Sequence, residues 1–153
     1  MQKVILEMES DPRNEAFARV TVAAYAARLN PTIEEISDIK TAVSEAVTNA
    51  IIHGYNGGNG KIILICSITG NELCVEISDR GVGISNIEKA MEPMYTSRPE
   101  LERSGMGFAF MSAFMDKVTV DSTPGQGTTV KMVKRITKED IPEVNMDFVV
   151  GYN

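Results

Sequence analysis

Hydrophobic side chains recur along this chain at two different spacings. Between residues 61 and 79 they occupy every second position, which predicts two β-strands, 61–67 and 72–79, joined by a turn near Gly70. In the preceding stretch they recur every three to four residues, which predicts a helix that opens at a Thr32–Glu35 capping box and stops near Gly54. The same patterns predict strands at 3–9, 117–121 and 128–134, and helices at about 13–29, near 87–91 and from 108 onward.

A polar stripe interrupts the apolar surface of the central helix. Glu45, Asn49 and His53 are spaced four residues apart, so they lie along one edge of that helix. Carboxylate and carboxamide oxygens suit a hard cation such as Mg²⁺, which usually arrives with substrate phosphates. His53 is expected mainly to cap the helix end, where a donor suits the dipole. A solvated helix edge and a transition-metal site are the alternatives, and a single histidine weakens the second.

One carboxylate falls in an apolar row of the second strand. Leu73, Val75 and Ile77 share one face by period-two alternation, and Asp79 continues that row. Because an unpaired buried charge is unfavourable, Asp79 needs a partner. It is suited to accept a hydrogen bond from an exocyclic amine, and a turn or capping role just past the strand end is the alternative.

The segment 84–104 has no clear period, as is typical of lids and binding loops. Glycines flank it on both sides, at Gly81 and Gly83 and again at Gly105 and Gly107. Glycine lets the backbone approach an anion closely, and the free N–H groups at a helix start favour phosphate. With the polar stripe and the buried carboxylate, this pattern predicts a nucleotide site without a Walker loop, since GxxxxGK[ST] does not occur.

Composition narrows the class of protein. The 153 residues suit one domain, and the net charge of −6 argues against sequence-independent nucleic-acid binding. No apolar run is long enough to cross a membrane and no signal peptide is recognisable, so a cytoplasmic protein is expected. Cys66 and Cys74 could face each other across the hairpin, but reduced thiols are the expectation for such a protein.

The order and spacing of these pieces resemble the GHKL ATPase superfamily. The N box is matched by Glu45 and Asn49, the two glycine boxes by 79–83 and 104–107, and the last box by 127–129. The chain is more specifically similar to the bacterial anti-sigma factor serine kinases, and most similar to those of the sporulation sigma F type. The stretches EAVTNAIIHGY and PELERSGMGF carry that similarity, which covers roughly residues 3–134.

The resemblance implies an α/β fold, a two-layer sandwich of the Bergerat ATP-binding type. In this fold a mixed sheet is covered on one face by helices, and ATP binds between the layers. Residues 1–136 would form the ATP-binding kinase domain, and 137–153 would be a C-terminal tail of unknown role. The pattern of that tail allows either an added strand or a loose extension.

The resemblance also implies a role for each matched residue. Asp79 would bind the adenine amino group, and Asn49 would hold Mg²⁺ against the phosphates of ATP. Glu45 would be the general base that takes the proton from the attacking hydroxyl, with Arg103 supplying positive charge. The other nucleotide-binding residues would be Gly81, Gly83, Ser104, Gly105, Met106, Gly107 and Thr129, with residues 84–104 as the lid.

The function implied is that of an anti-sigma factor. Such a protein binds and inhibits a sporulation sigma factor, and it uses Mg-ATP to phosphorylate a serine of the anti-anti-sigma protein that opposes it. A homodimer is expected, without direct contact to nucleic acid or membrane. A stress-response sigma factor as the target, or a stand-alone ATPase, are the alternatives. A histidine kinase domain is disfavoured because those proteins commonly have Asn where this chain has Glu45.

Overall fold

The computed structural model describes residues 2–92 and 107–137. Most of the elements predicted from the sequence are confirmed within these ranges. In chain order they are β1 (Gln2–Glu9), α1 (Arg13–Ala26), α2 (Ile33–Asn49), β2 (Lys61–Thr69), β3 (Glu72–Asp79), α3 (Ile87–Ala90), α4 (Gly107–Phe114), β4 (Lys117–Thr123) and β5 (Gly127–Arg135). A 3₁₀ turn at Ala27–Leu29 follows α1, and a π-helical turn at Ala50–Gly54 follows α2.

The start of α2 is fixed by the capping box that the sequence predicts. The Glu35 backbone N–H donates to Thr32 Oγ1 at 3.1 Å, and the Thr32 N–H donates to Glu35 Oε1 at 3.0 Å. Two of the free N–H groups at the helix start are thereby satisfied. The helix then buries an apolar stripe made of Ile39, Ala42, Val43, Ala46 and Val47.

The strands form one sheet in the order β1-β2-β3-β5-β4. The α/β class is confirmed, but the expected mixed sheet is not, because every neighbouring pair among the described strands is antiparallel. The reason is the position of β5. Strands β3 and β4 run in the same direction, but β5 lies between them as the hairpin partner of β4, so they never pair.

The helices cover one face of this sheet, and the hydrophobic core lies between the two layers. Leu73, Val75 and Ile77 are buried with Asp79 in alternation with half-buried neighbours, as the period of two predicts. Side chains of α1, α2 and α4 complete the same buried cluster. The opposite face of the sheet, called here the open face, carries polar pairs such as Glu76 opposite Lys131.

The cysteines do not face each other. Cys66 is opposite Val75, whereas Cys74 is opposite Ser67, so the two thiols point to opposite faces of the sheet. Both are free, as the composition indicates. Burial raises the pKa of Cys66 to about 12, and burial is also the main cause that raises the pKa of Cys74. The two side chains are therefore inert structural thiols rather than a disulfide pair.

None of the helices in the described ranges is long and apolar enough to cross a membrane.

Candidate functional site

A cavity of about 340 Å³ opens where the end of α2 meets the ends of β3 and β5. This volume lies within the usual range for small-molecule sites. Its wall includes residues from the predicted polar stripe and the first glycine box, namely Asn49, His53, Asp79 and Gly83. His53 therefore lies on the cavity wall, although the sequence favoured a purely capping role for it.

Asp79 lies at the base of this cavity and is only 9% exposed. Its Oδ1 accepts the Gly81 backbone N–H at 2.9 Å. Burial is the main influence and raises the pKa of Asp79, while hydrogen bonds from the backbone of Gly81 and Thr128 lower it. The partner that a buried carboxylate needs is thus supplied by backbone donors, and its acceptor oxygens remain at the cavity.

Gly54 makes the position of Asp79 possible. A Cβ on Gly54 would lie 2.8 Å from Asp79 Cγ, so a larger residue would push into the carboxylate. A Cβ on Gly81 would lie 1.8 Å from the Gly54 carbonyl oxygen, and the Val82 N–H donates to that oxygen at 2.9 Å. The helix end and the first glycine box are therefore in direct backbone contact.

The sequence predicted Gly54 only as a helix stop, so its role at the cavity was missed. The available signal was its position directly after the polar stripe. The preceding turn is widened, since the Tyr55 N–H donates to the carbonyl of Ala50, five residues back, at 3.1 Å. Such π turns are frequent at functional sites. Here the turn carries the chain from Asn49 to the glycine contact.

The threonine that lines the cavity is Thr128, not the predicted Thr129. In the pairing of β3 with β5, Asp79 is opposite Thr128 and Ser78 is opposite Thr129. Thr128 is buried and lines the cavity, with its hydroxyl 2.8 Å from the Ser122 hydroxyl. Thr129 shares a 2.8 Å hydrogen bond with Ser78 on the open face. A shift of one residue along a strand exchanges the two faces of the sheet.

The N box and the second glycine box meet at Gly107, the first residue of α4. A Cβ on Gly107 would lie 3.1 Å from Asn49 Oδ1 and 3.3 Å from Glu45 Oε2. The carboxamide and the carboxylate therefore converge on a helix N-terminus, which favours phosphate groups. Arg103, Ser104, Gly105 and Met106 lie outside the described residues, and their roles stay predictions.

The donor set fits Mg²⁺ better than a transition metal. Asn49 and Glu45 offer oxygen ligands side by side, and Mg²⁺ is usually held by one or two protein oxygens together with substrate phosphates. No group of three or more His, Cys, Asp or Glu side chains among the residues in the described ranges could hold a metal ion. A metal here would thus depend on the nucleotide for most of its ligands.

A second depression, the α1–α2 groove, lies on the outer side of the helical layer. Its volume is about 380 Å³, and it is lined by Arg19, Ile33, Ile36, Ser37, Lys40, Thr41, Ser44 and Glu45. Glu45 thus lines this groove while its carboxylate reaches Gly107. It is the residue that connects the outer surface of the helices to the converging oxygens.

Comparison with known proteins decides the family. Residues 8–134 match the sequence model of the histidine kinase-like ATPase domain. The chain belongs to this family. It is 56% identical over 133 residues to the anti-sigma F factor of Clostridium acetobutylicum, an alignment that covers 87% of this chain and 93% of that protein. It is 58% identical over 131 residues to the anti-sigma F factor of Thermoanaerobacter sp. strain X514, covering 86% and 92%.

Within the histidine kinase-like ATPase family, the chain therefore falls among the anti-sigma F factors. The solved structures agree on the fold. The RsbU and RsbW domains of a Mycobacterium tuberculosis protein align with a TM-score of 0.62 at 19% identity, over 89% of this chain and 32% of that one. The resemblance inferred from the boxes is confirmed at the level of family and fold.

The contact between Gly54 and Asp79 predicts that Gly54→Ala displaces the carboxylate. We expect adenine-nucleotide affinity to fall at least roughly tenfold, and stability to fall by about 1–3 kcal/mol, because the added methyl overpacks a buried site. Titration calorimetry and urea unfolding measure the two effects. Gly70→Ala is the matched control, since Gly70 has positive φ but no neighbour within 4 Å. It should lose stability and keep its affinity; equal affinity in both variants would contradict the prediction.

Asp79→Asn should separate binding from stability. Because the folded-state pKa of Asp79 is raised, its contribution to stability is present below the unfolded pKa and lost as pH rises through the folded pKa. The Asn variant should therefore lose less stability than the wild type between pH 3 and 7, and be at least as stable at pH 7. Nucleotide affinity should fall roughly 10- to 100-fold with the charged acceptor gone. Urea unfolding across this range tests it, and a large loss of stability at pH 7 would refute it.

Proposed function

We propose that this protein is an anti-sigma factor with serine kinase activity. It binds and inhibits a sporulation sigma factor of the sigma F type, and it uses Mg-ATP to phosphorylate a serine of its anti-anti-sigma antagonist. The observation that carries the kinase part is the convergence of Glu45 and Asn49 on Gly107 at the start of α4. The name of the relatives, anti-sigma F factor, supports the sigma-binding part.

The nucleotide is proposed to bind in the cavity above Asp79. The buried carboxylate accepts the adenine amino group, and the close contact of Gly81 with Gly54 leaves room for the base. Thr128 replaces Thr129 in this proposal, because Thr128 lines the cavity and pairs with Asp79. The phosphates extend toward Asn49 and the N-terminus of α4, with Arg103, Ser104, Gly105 and Met106 completing their binding.

Mg²⁺, held by Asn49 and the phosphates, would neutralise negative charge on the nucleotide. Phosphoryl transfer depends mainly on such neutralisation and on an in-line nucleophile. The carboxylate of Glu45 accepts the proton of the acceptor serine. The serine oxygen forms a bond to the γ-phosphorus, the bond from that phosphorus to the bridging oxygen breaks, and ADP leaves. Positioned proton transfer of this kind contributes roughly 10²- to 10⁴-fold to rate.

The position of Glu45 suits a protein substrate. Since Glu45 lines the α1–α2 groove as well as the convergence at Gly107, a hydroxyl can reach its carboxylate from the outer surface of the helices. ATP approaches from the opposite side, through the cavity. This two-sided access favours transfer to another protein over simple hydrolysis. The homodimer, the cytoplasmic location and the domain boundary at residue 136 belong to the same proposal.

Glu45→Gln should abolish transfer and preserve nucleotide binding. We expect serine phosphorylation of the antagonist to fall roughly 10²- to 10⁴-fold, because the amide cannot take the proton. ATP affinity should change by less than about threefold, since the side chain keeps its size. Asn49→Ala should lose both properties through the metal. Phosphate transfer from Mg-ATP to the purified antagonist, with binding by calorimetry, measures these effects.

Glu34→Gln is the control for the kinase test, since Glu34 is an exposed residue at the start of the same helix. It should behave as the wild type. If the wild type never modifies the antagonist but hydrolyses ATP rapidly without it, the protein is a stand-alone ATPase. If Glu45→Gln transfers phosphate at the wild-type rate, another group is the base.

Sigma-factor inhibition should survive the loss of catalysis. Glu45→Gln is expected to inhibit transcription from a sigma F-dependent promoter within about threefold of the wild type, because the substitution leaves the fold and the shape of the surface unchanged. Reconstituted transcription with purified polymerase and sigma factor measures this. A wild-type protein that binds ATP yet leaves transcription unaffected would remove the sigma-binding half of the proposal and leave the kinase half standing.

A further inference from the structure

The chain after β5 turns toward the helical layer. Ile136 is buried, and its N–H donates to the Asn71 carbonyl at 2.9 Å, while the Asn71 side chain donates back to Ile136 at 3.2 Å. The next N–H, that of Thr137, donates to Glu35 Oε2 at 3.1 Å. The last described residue is therefore bound at the first turn of α2.

The α1–α2 groove begins at that same turn. Ile33, two residues before Glu35, lines the groove and is 91% exposed. On the neighbouring helix, Phe17 and Val20 are 57% and 59% exposed. Large apolar side chains exposed together on one layer mark a surface that another segment covers.

Residues 138–153 have the chemistry and the length to cover it. Apolar side chains stand at alternate positions from Val144 to Tyr152, and the segment carries four carboxylates against one lysine. The groove presents Arg19, which lies 3.3 Å from Glu15, and Lys40, for which no ion pair occurs among the described residues. From Ile33 to Glu45 the groove runs about 18 Å along α2, whereas 16 extended residues reach about 50 Å.

We propose that residues 138–153 dock in the α1–α2 groove of their own chain and cover the outer approach to Glu45. The matched family domain ends at residue 134, so this segment is an addition to the shared domain rather than part of it. Its regulatory consequence rests on the proposed function: a protein that approaches Glu45 from outside must first displace the segment. The docking itself does not rest on that function.

The open face and the edge strands are less suitable for this segment. Ile5 on β1 is 59% exposed and offers an apolar surface of similar size. It lies on the open face, however, while Thr137 is held at α2 on the covered face. The segment would have to pass around the sheet to reach Ile5. Ile5 therefore provides a matched control rather than a competing site.

The test uses the full-length chain without nucleotide, sigma factor or antagonist, so its outcome is independent of the proposed function. Hydrogen exchange of the amides in 138–153 is compared in the wild type, Ile33→Asp and Ile5→Asp. Both substitutions introduce a charge at an exposed side chain, so the fold is expected to persist. Ile33→Asp should speed exchange of the segment roughly tenfold or more, and Ile5→Asp should leave it unchanged.

A reciprocal measurement follows the groove. Acetylation of Lys40 is compared with that of Lys131, an exposed lysine on the open face. Phe148→Asp should speed labelling of Lys40 and leave Lys131 unchanged. The proposal is overturned if the segment exchanges fully at the shortest time in the wild type and Phe148→Asp has no effect. It is also overturned if Ile5→Asp rather than Ile33→Asp releases the segment, or if Ile33→Asp alters only the oligomeric state, which would assign the groove to a second copy.

Discussion

The structure depends on one buried carboxylate at the end of a strand. Asp79 is held between the backbone of the first glycine box and the last turn of the central helix, and Gly54 leaves the room that it needs. Because a charge in this position is unfavourable without donors, the surrounding backbone is constrained to supply them. The glycine loop, the widened turn after α2 and the pairing of β3 with β5 all follow from that requirement.

The same constraint prepares the site for a ligand. Burial raises the pKa of Asp79, so the folded protein tolerates the charge rather than gaining stability from it. An unfavourable group that is retained at the base of a cavity is typical of a binding site, where stability is exchanged for recognition. The polar stripe of α2 extends from this point to Gly107, and it thereby joins a base-binding end to a phosphate-binding end within one helix.

Glu45 gives the helical layer two working faces. Its carboxylate is near Asn49 on the cavity side, and the same residue lines the α1–α2 groove on the outer side. A helix that separates two sites in this way can present one reactive group to ligands that never share a cavity. The outer groove also lies next to the point where the chain leaves the sheet, so access to Glu45 and the path of the C-terminal segment are physically connected.

Local patterns in the sequence determined the elements, the capping box and the inward direction of Asp79, because each depends on spacing within a few residues. The boxes also sufficed to indicate the family. Tertiary structure alone decided that Thr128 rather than Thr129 lines the cavity, and that Cys66 and Cys74 lie on opposite faces, since strand register is set by packing between distant segments. It also decided the purely antiparallel pairing of the described strands and the role of Gly54. Both are contacts between segments far apart in sequence, which no local period encodes.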